Sequence, residues 1–452
     1  MGIAGSGRSI TQLKSKFVKY HSALSKVEPV KVKGRIAKLT GLMIEATCPA
    51  MNHGDLCSIQ SKDGSRSIKA EVVGIKDKRV QIMPLGILTG IAAGDLVNPF
   101  GEPLSVPVGI GLLGRVIDGL GNPIDNKGEL RFSDRYPVMS QPPCPMSRQR
   151  ICKPIGSGIR AIDGLLTFGK GQRMGIFAGS GVGKSMLLGM IAKYSEADVN
   201  VIALIGERGR ELRDFIENSL GAEGLKRSVV IVATSDQPAL IRLKGAFLAH
   251  AVAEFFRDQG CNVMLMLDSI TRFAMAQREI GLSVGEPPAS KGYTPSVFSM
   301  LPALLERSGQ GVNGSGSITG LYTVLVESDD FNEPISDAVR AILDGHIILS
   351  RDIASSGHYP AIDVLQSLSR LFTDIVPKEQ IAAAINLREV IATYRKAEDL
   401  INIGAYVKGS NPAIDYSISM IGKVNDYLKQ SYSTYTKFSD NQEQLIAMFN
   451  KK

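Results

Sequence analysis

Five short apolar runs recur along the middle of the chain: MGIFA (174–178), NVIALI (200–205), SVVIVAT (228–234), NVMLMLD (262–268) and LYTVLV (321–326). None alternates polar with apolar, so the pattern predicts strands buried on both faces. Helical spacing fills the stretches between them, most clearly over 185–194 and 240–258. Strands alternating with helices from about 101 to 372 predict an α/β fold with a mostly parallel sheet. Upstream, over about 29–100, the pieces VKVKGRIAKL, GLMIEATC, DLCSI, SIKAEVVGI, RVQIMPL and DLVNPF are punctuated by turn residues and predict a small antiparallel β-barrel. Downstream of about 373, EQIAAAINLREVIATYRKAEDL opens a helical region that runs to residue 452, with a break at Gly409, Asn411 and Pro412. Within residues 1–28, Ile10, Leu13, Phe17, Tyr20 and Leu24 form one helical stripe, accompanied by Lys14, Lys16, Lys19 and Lys26. A helix resting on its own protein and a helix docked on a partner or an anionic membrane are equal readings of that stripe.

The densest chemistry lies where the first of these strands ends. Residues 178–185 read AGSGVGKS, a glycine-rich turn between a strand and a helix. Gly179, Gly181 and Gly183 let the backbone curl so that amides of the loop, Ser180 and Val182 included, face phosphate oxygens, and the helix adds its positive amino end. Lys184 would reach the β- and γ-phosphates and the Ser185 hydroxyl would ligate Mg²⁺. Ala178 stands where the strict pattern has glycine, a small departure because the crowded turn positions remain glycine.

Two acids follow from the same logic. Asp268 ends an apolar strand, as an acid that holds the Mg²⁺ hydration shell does, and strands also end in Asp for turn chemistry alone. Glu207 follows the strand 200–205 in the run GERGRE, where a base that orients water for attack on the γ-phosphate belongs. Glu211 competes for that role from farther along the loop. Arg208, Arg210 and Arg213 fit either phosphate or acidic neighbours. In HYPAIDVLQSLSR (358–370), Tyr359 offers an aromatic face for adenine and Arg370 closes the segment; spacing alone favours a buried Tyr and a surface Arg.

Composition narrows the class. A chain of 452 residues accommodates two to four domains at roughly 100–200 residues each. With 44% hydrophobic and 21% charged residues, and no apolar run near the ~18 residues of a membrane span, a water-exposed globular protein is expected. The opening MGIAGSGRSITQLKSKF lacks the apolar core of a secretory signal. Five cysteines without a C-x-x-C pair point to a reducing cytoplasm and no zinc knuckle. The net charge of +8 is spread along the chain, apart from the N-terminal lysines.

AGSGVGKS, LIGERGRE, MLDSITRFAMAQREIGLSVGEPPASKGYTPSVFSMLPALLERSG, GSITGLYTVLVESDD, ILDGHIILSRDIA and HYPAIDVLQSLSR together resemble the ATPases of type III protein export, relatives of the catalytic β subunit of ATP synthase, and among them the flagellum-specific ATPases. The resemblance spans about 29–430. It implies a RecA-like P-loop ATPase domain (101–372) between an N-terminal β-barrel (29–100) and a C-terminal helical domain (373–452). It also implies ATP and Mg²⁺ as cofactors and assigns the residues: Lys184 and Ser185 to phosphate and metal, Glu207 as catalytic carboxylate, Asp268 as metal-shell acid, Tyr359 as adenine platform, Arg370 as arginine finger, and Arg208 and Arg272 near the phosphates. Because this one chain resembles the donors of both glutamate and finger, a homohexamer with a catalytic site at each interface is implied. The partners implied are a stator-like regulator on the N-terminal helix, a central stalk-like protein, a membrane export gate, and export chaperones and substrates, with the enzyme cytoplasmic and peripheral at the inner membrane.

Alternatives differ in chemistry. The matching ATPase of a virulence injectisome is highly similar in sequence. A hexameric nucleic-acid motor also joins a barrel to a RecA-like ring, but Phe100 is the single aromatic between 29 and 100, so stacking platforms for bases are missing and no nucleic acid is expected. A non-catalytic nucleotide-binding subunit would lack the carboxylate at 207.

Overall fold

The computed structural model describes residues 32–48, 51–312, 314–326, 330–331 and 333–450, together with 17, 18 and 20. The amphipathic helix expected over 10–27 therefore lies almost wholly outside the described residues. The chain divides into two compact units, one built from residues up to 83 plus 88–102, the other from 84–87 and 103 onward.

The first unit is a closed barrel of six strands, ordered Gly34–Thr40, Met43–Thr47, Arg79–Pro84, Ser67–Lys76, Asp55–Gln60, Leu96–Pro103. Ile36, Ile44, Ala46, Cys57, Ile59, Ala70, Val72, Val80, Ile82 and Val97 fill its interior. Small and branched side chains suit so narrow a lumen, and closure removes the exposed strand edges.

The second unit is built on a nine-stranded sheet. Its main path runs Leu368–Ser369, Gly345–Leu349, Arg173–Ala178, Ser317–Leu325, Asn262–Asp268, Val199–Ile205, Ser228–Ala233, Arg115–Asp118. Along this path every pairing is parallel except that of the edge strand Leu368–Ser369. Val199–Ile205 and Ser228–Ala233 are buried at every position, the burial that their unbroken apolar sequences require. Parallel pairing has one consequence for function: all these strands end at the same edge. The loop after Ala178, the Asp268 carboxylate and the loop after Ile205 thus emerge side by side, at a reversal of strand order where α/β sheets open a crevice.

The helices Lys378–Asn402, Pro412–Leu428 and Phe438–Phe449 share their core with this sheet: Ala383, Leu387, Val424, Tyr427 and Leu445 belong to the same apolar cluster as Ile162, Ile176 and Leu187. A polar knot fixes the junction. Asp163, fully buried, accepts from the Ser157 amide (2.8 Å) and hydroxyl (2.7 Å), the Gly158 amide (3.2 Å) and the Asn441 side chain (2.8 Å). Burial pushes its carboxyl up to about 6 against the pull of those donors. Gln430 bonds the Arg160 amide (2.9 Å) and the Gly158 carbonyl (2.8 Å).

Asp163→Asn keeps the shape but turns an NH₂ group toward buried donors. Orphaning them is expected to cost about 2–5 kcal/mol, read as a lower denaturant midpoint with an unchanged barrel core. A midpoint equal to the parent's would show that the knot does not hold the helices to the sheet.

Candidate active site

The strand Arg173–Ala178 delivers the loop from the sheet edge, and the helix Lys184–Tyr194 receives it. The turn is made by Gly181 (φ 81°) and Gly183 (φ 93°), left-handed positions that a side chain would strain. Val182 between them is buried in the core and pins the loop. Gly183 caps the helix, its carbonyl accepting from Leu187 N–H at 3.0 Å, and Ser185 stands exposed in the first turn. The helix amino end and the loop amides together make a concave anion site.

Lys184 runs from this loop into a pair of acids. Its Nζ bonds Asp268 Oδ1 and lies 3.6 Å from Glu207 Oε1. Asp268 is 3% exposed at the end of its strand. Its Oδ1 also accepts from Thr323 Oγ1 at 2.7 Å, whereas no described residue donates to Oδ2. Glu207 Oε1 is buried and makes no hydrogen bond. Burial raises the Glu207 carboxyl above its ordinary range; Lys184 pulls it down, while Asp268 and Glu211 push it further up. A half-buried carboxyl with a free oxygen and a raised pKa suits proton acceptance near neutral pH.

The other sequence-predicted residues fall in three places. Tyr359, 42% exposed, lies over the loop: a Cβ built on Gly183 would meet its ring at 3.5 Å. Its carbonyl accepts from Gln430 N–H at 2.9 Å, so the helical region fixes it. Arg272 packs against Gly206, where an added Cβ would come within 2.7 Å of it, and its buried Nε has no partner. Arg208 caps the helix Gly209–Asp214 and turns outward, 69% exposed and 3.7 Å from Glu211.

Arg370 is elsewhere. Leu349 pairs with Ala178 at the loop edge of the sheet, but Gly345, at the other end of that strand, pairs with Ser369. Arg370 therefore follows at the opposite edge, roughly 15 Å of strand away from its own phosphate loop. Its amide donates to the Asp344 carbonyl at 3.0 Å and its Nη2 to the Arg340 carbonyl at 3.5 Å. Sequence reading did not single out Thr323. Its hydroxyl, one of two in the apolar run LYTVLV beside that of Tyr322, was the available signal, but only strand order shows which acid it meets.

Residues 158–369 match the ATP synthase alpha/beta family nucleotide-binding domain, and residues 36–101 match that family's beta-barrel domain. Residues 376–447 match the T3SS EscN ATPase C-terminal domain. The flagellum-specific ATP synthase of Bacillus subtilis is 57% identical over 400 residues, 88% of this chain and 90% of that protein. The chain belongs to the flagellar and type III secretion ATPases of the ATP synthase alpha/beta family. Among solved structures, the assembled ATPase EscN from the type III secretion system of enteropathogenic E. coli superposes with a TM-score of 0.87 at 44% identity, covering 92% of this chain and 99% of that one. EscN in complex with its central stalk EscO gives 0.85 at 43% identity with the same coverage. In this ATP-hydrolysing family the RecA-like α/β domain, the barrel and the C-terminal helices stand as the resemblance implied.

A raised Glu207 pKa has a kinetic sign. Glu207 stays protonated to higher pH than an ordinary glutamate, so with Glu207 as the base the acid limb of kcat/KM for ATP should lie above the usual value of about 4.3. Glu211→Gln removes one of the groups that raise it, and the limb should move to lower pH. An unmoved limb would assign it to another group.

Proposed function

We propose that the chain hydrolyses ATP in clefts shared by identical copies, and that turnover drives delivery and unfolding of export substrates at the base of a bacterial flagellum. The observation that carries this reading is the separation of parts. The loop, Lys184, Glu207 and Asp268 lie at one edge of the sheet and Arg370 at the other. A subunit so built cannot bring its own guanidinium to its own phosphate, but a head-to-tail neighbour can, and a rotation that closes makes a homohexameric ring.

Within each cleft the loop amides and Lys184 would hold the β- and γ-phosphates, with Arg272 offering its unpartnered Nε nearby. Glu207 would orient the attacking water and accept its proton. Tyr359 would stack on adenine, and Arg370 of the next copy would neutralise charge that develops on the γ-phosphate. The Ser185 hydroxyl and the uncommitted Oδ2 of Asp268 fit Mg²⁺ and its water shell, which would supply neutralisation of phosphate charge. Arg208, outward and paired with Glu211, suits an interface better than this cleft.

The flagellar relative at 57% identity, against 48% for the type 3 secretion system ATPase of Xanthomonas euvesicatoria and 44% for EscN, supports a flagellar system over an injectisome. EscN's complex with EscO supports a stalk-like partner for this chain. The regulator, chaperones, export gate and peripheral station at the inner membrane follow from the same family reading. In the described residues no helix is long and apolar enough to cross a membrane.

Three variants test the division of labour. Lys184→Ala should weaken ATP binding, and Glu207→Gln should bind ATP without hydrolysing it. Arg370→Ala should bind normally and lose roughly 10³-fold or more in turnover. Mixed in equal amounts, inactive Glu207→Gln and Arg370→Ala subunits should regain activity, because about a quarter of head-to-tail interfaces then combine an intact glutamate with an intact arginine. No recovery on mixing, or full activity of a solitary subunit, would overturn the shared cleft.

A further inference from the structure

The strand Ser317–Leu325 lies between the strand that delivers the phosphate loop and the strand that ends in Asp268. Register places Thr323 opposite Ile176 on one side, while Leu267 pairs with Tyr322 on the other, so Thr323 stands next to Asp268 where pairing ends. Thr323 is fully buried; among the last five residues of this strand only it and Tyr322 carry hydroxyls, and the Tyr322 hydroxyl is bonded to Ser308 at 2.7 Å and His250 at 3.1 Å.

That hydroxyl has one proton and two acceptors within reach. The Leu267 carbonyl is 3.3 Å away and Asp268 Oδ1 is 2.7 Å away. A charged acceptor at the shorter distance takes the proton, so Thr323 donates to the carboxylate. The same oxygen also accepts from Lys184 Nζ. Asp268 is thus gripped on Oδ1 from two sides while no described residue donates to Oδ2.

The two grips differ in permanence. Lys184 sits on a long, flexible stem rooted in the phosphate loop, and a triphosphate in that loop competes for its ammonium. Thr323 is a short side chain on a central strand and has nowhere to go. We propose that Thr323 is a positioning residue for Asp268: it keeps the carboxylate aimed at the metal shell once nucleotide has drawn Lys184 away. The inference rests on the cleft described above and extends it. It assigns Thr323 to metal-dependent binding and turnover and gives it no part in binding nucleotide without metal. A threonine that merely satisfied its own hydroxyl would leave the metal dependence untouched.

The test uses the full chain, a fluorescent ADP analogue and magnesium chloride. Thr323→Val keeps the shape and removes the donor, Thr323→Ala removes it in a smaller side chain, and Thr323→Ser retains it. In EDTA, Val and Ala variants should bind the analogue within about twofold of the parent, whereas their half-saturating Mg²⁺ should rise about tenfold, the effect of one lost hydrogen bond to a charged group. Their kcat should fall by a similar factor at saturating ATP, and Thr323→Ser should restore both. Parental Mg²⁺ dependence in either hydroxyl-free variant that retains the parent's thermal midpoint, or a Ser variant as impaired as Val, would overturn the assignment. Lys184→Ala separates this failure from that of the cleft itself: if it leaves metal-free binding of the analogue unchanged, the phosphate site is misplaced; if it weakens binding while Thr323→Val behaves as parent, the threonine role alone falls.

Discussion

One ammonium group between the buried Asp268 carboxylate and the half-buried Glu207 carboxylate is the interaction on which the site depends. Lys184 reaches Asp268 directly and Glu207 at 3.6 Å, in a position where water is largely excluded. Two carboxylates and one ammonium leave a net negative charge, and part of the burial cost appears as the raised Glu207 pKa. Such a cluster is stable only while Lys184 stays. In the proposed cleft, phosphates arriving in the loop would redistribute its hydrogen bonds, and the acids would then be left to a water and a metal shell. Preorganised charge, tolerated in the empty state through a single lysine, is the physical basis of the catalytic reading.

The sheet converts that local arrangement into an assembly constraint. Parallel strands gather every loop that follows them at one edge, which is why residues as far apart in sequence as Lys184, Glu207 and Asp268 meet. The one antiparallel pairing on the main path keeps Arg370 from joining them, because the short strand before it runs back toward the other edge. Catalysis and oligomerisation are therefore one property in this reading: an arginine out of reach within the subunit would serve a neighbour related by rotation.

The C-terminal helices are tied to the same machinery by buried polar contacts. Gln430 bonds Gly158 and Arg160 through its side chain and the Tyr359 carbonyl through its amide, so the helical region and the tyrosine above the phosphate loop are positioned together. Asp163 and Asn441 add a second bond between the regions. A displacement of the helices would reach Tyr359 through one residue, a mechanical link between the nucleotide cleft and any partner that engages those helices.

The amino-acid sequence by itself determined the buried strands, because unbroken apolar runs have no water-facing side, and it determined the phosphate loop, because only glycine tolerates the backbone at 181 and 183. It also marked Glu207 and Asp268, since acids at the ends of apolar strands stand out by contrast. Only the tertiary structure decided how these groups divide. Arg208 and Arg272 are alike in sequence, yet one turns to solvent and the other packs against Gly206 with an unpartnered nitrogen, a difference set by which surface each helix presents. Thr323 is a small polar side chain in a mostly apolar stretch until strand order sets it beside Asp268. Charge and backbone freedom are properties of single residues and are written locally; reach between side chains depends on strand order and register, which come into being when the sheet forms.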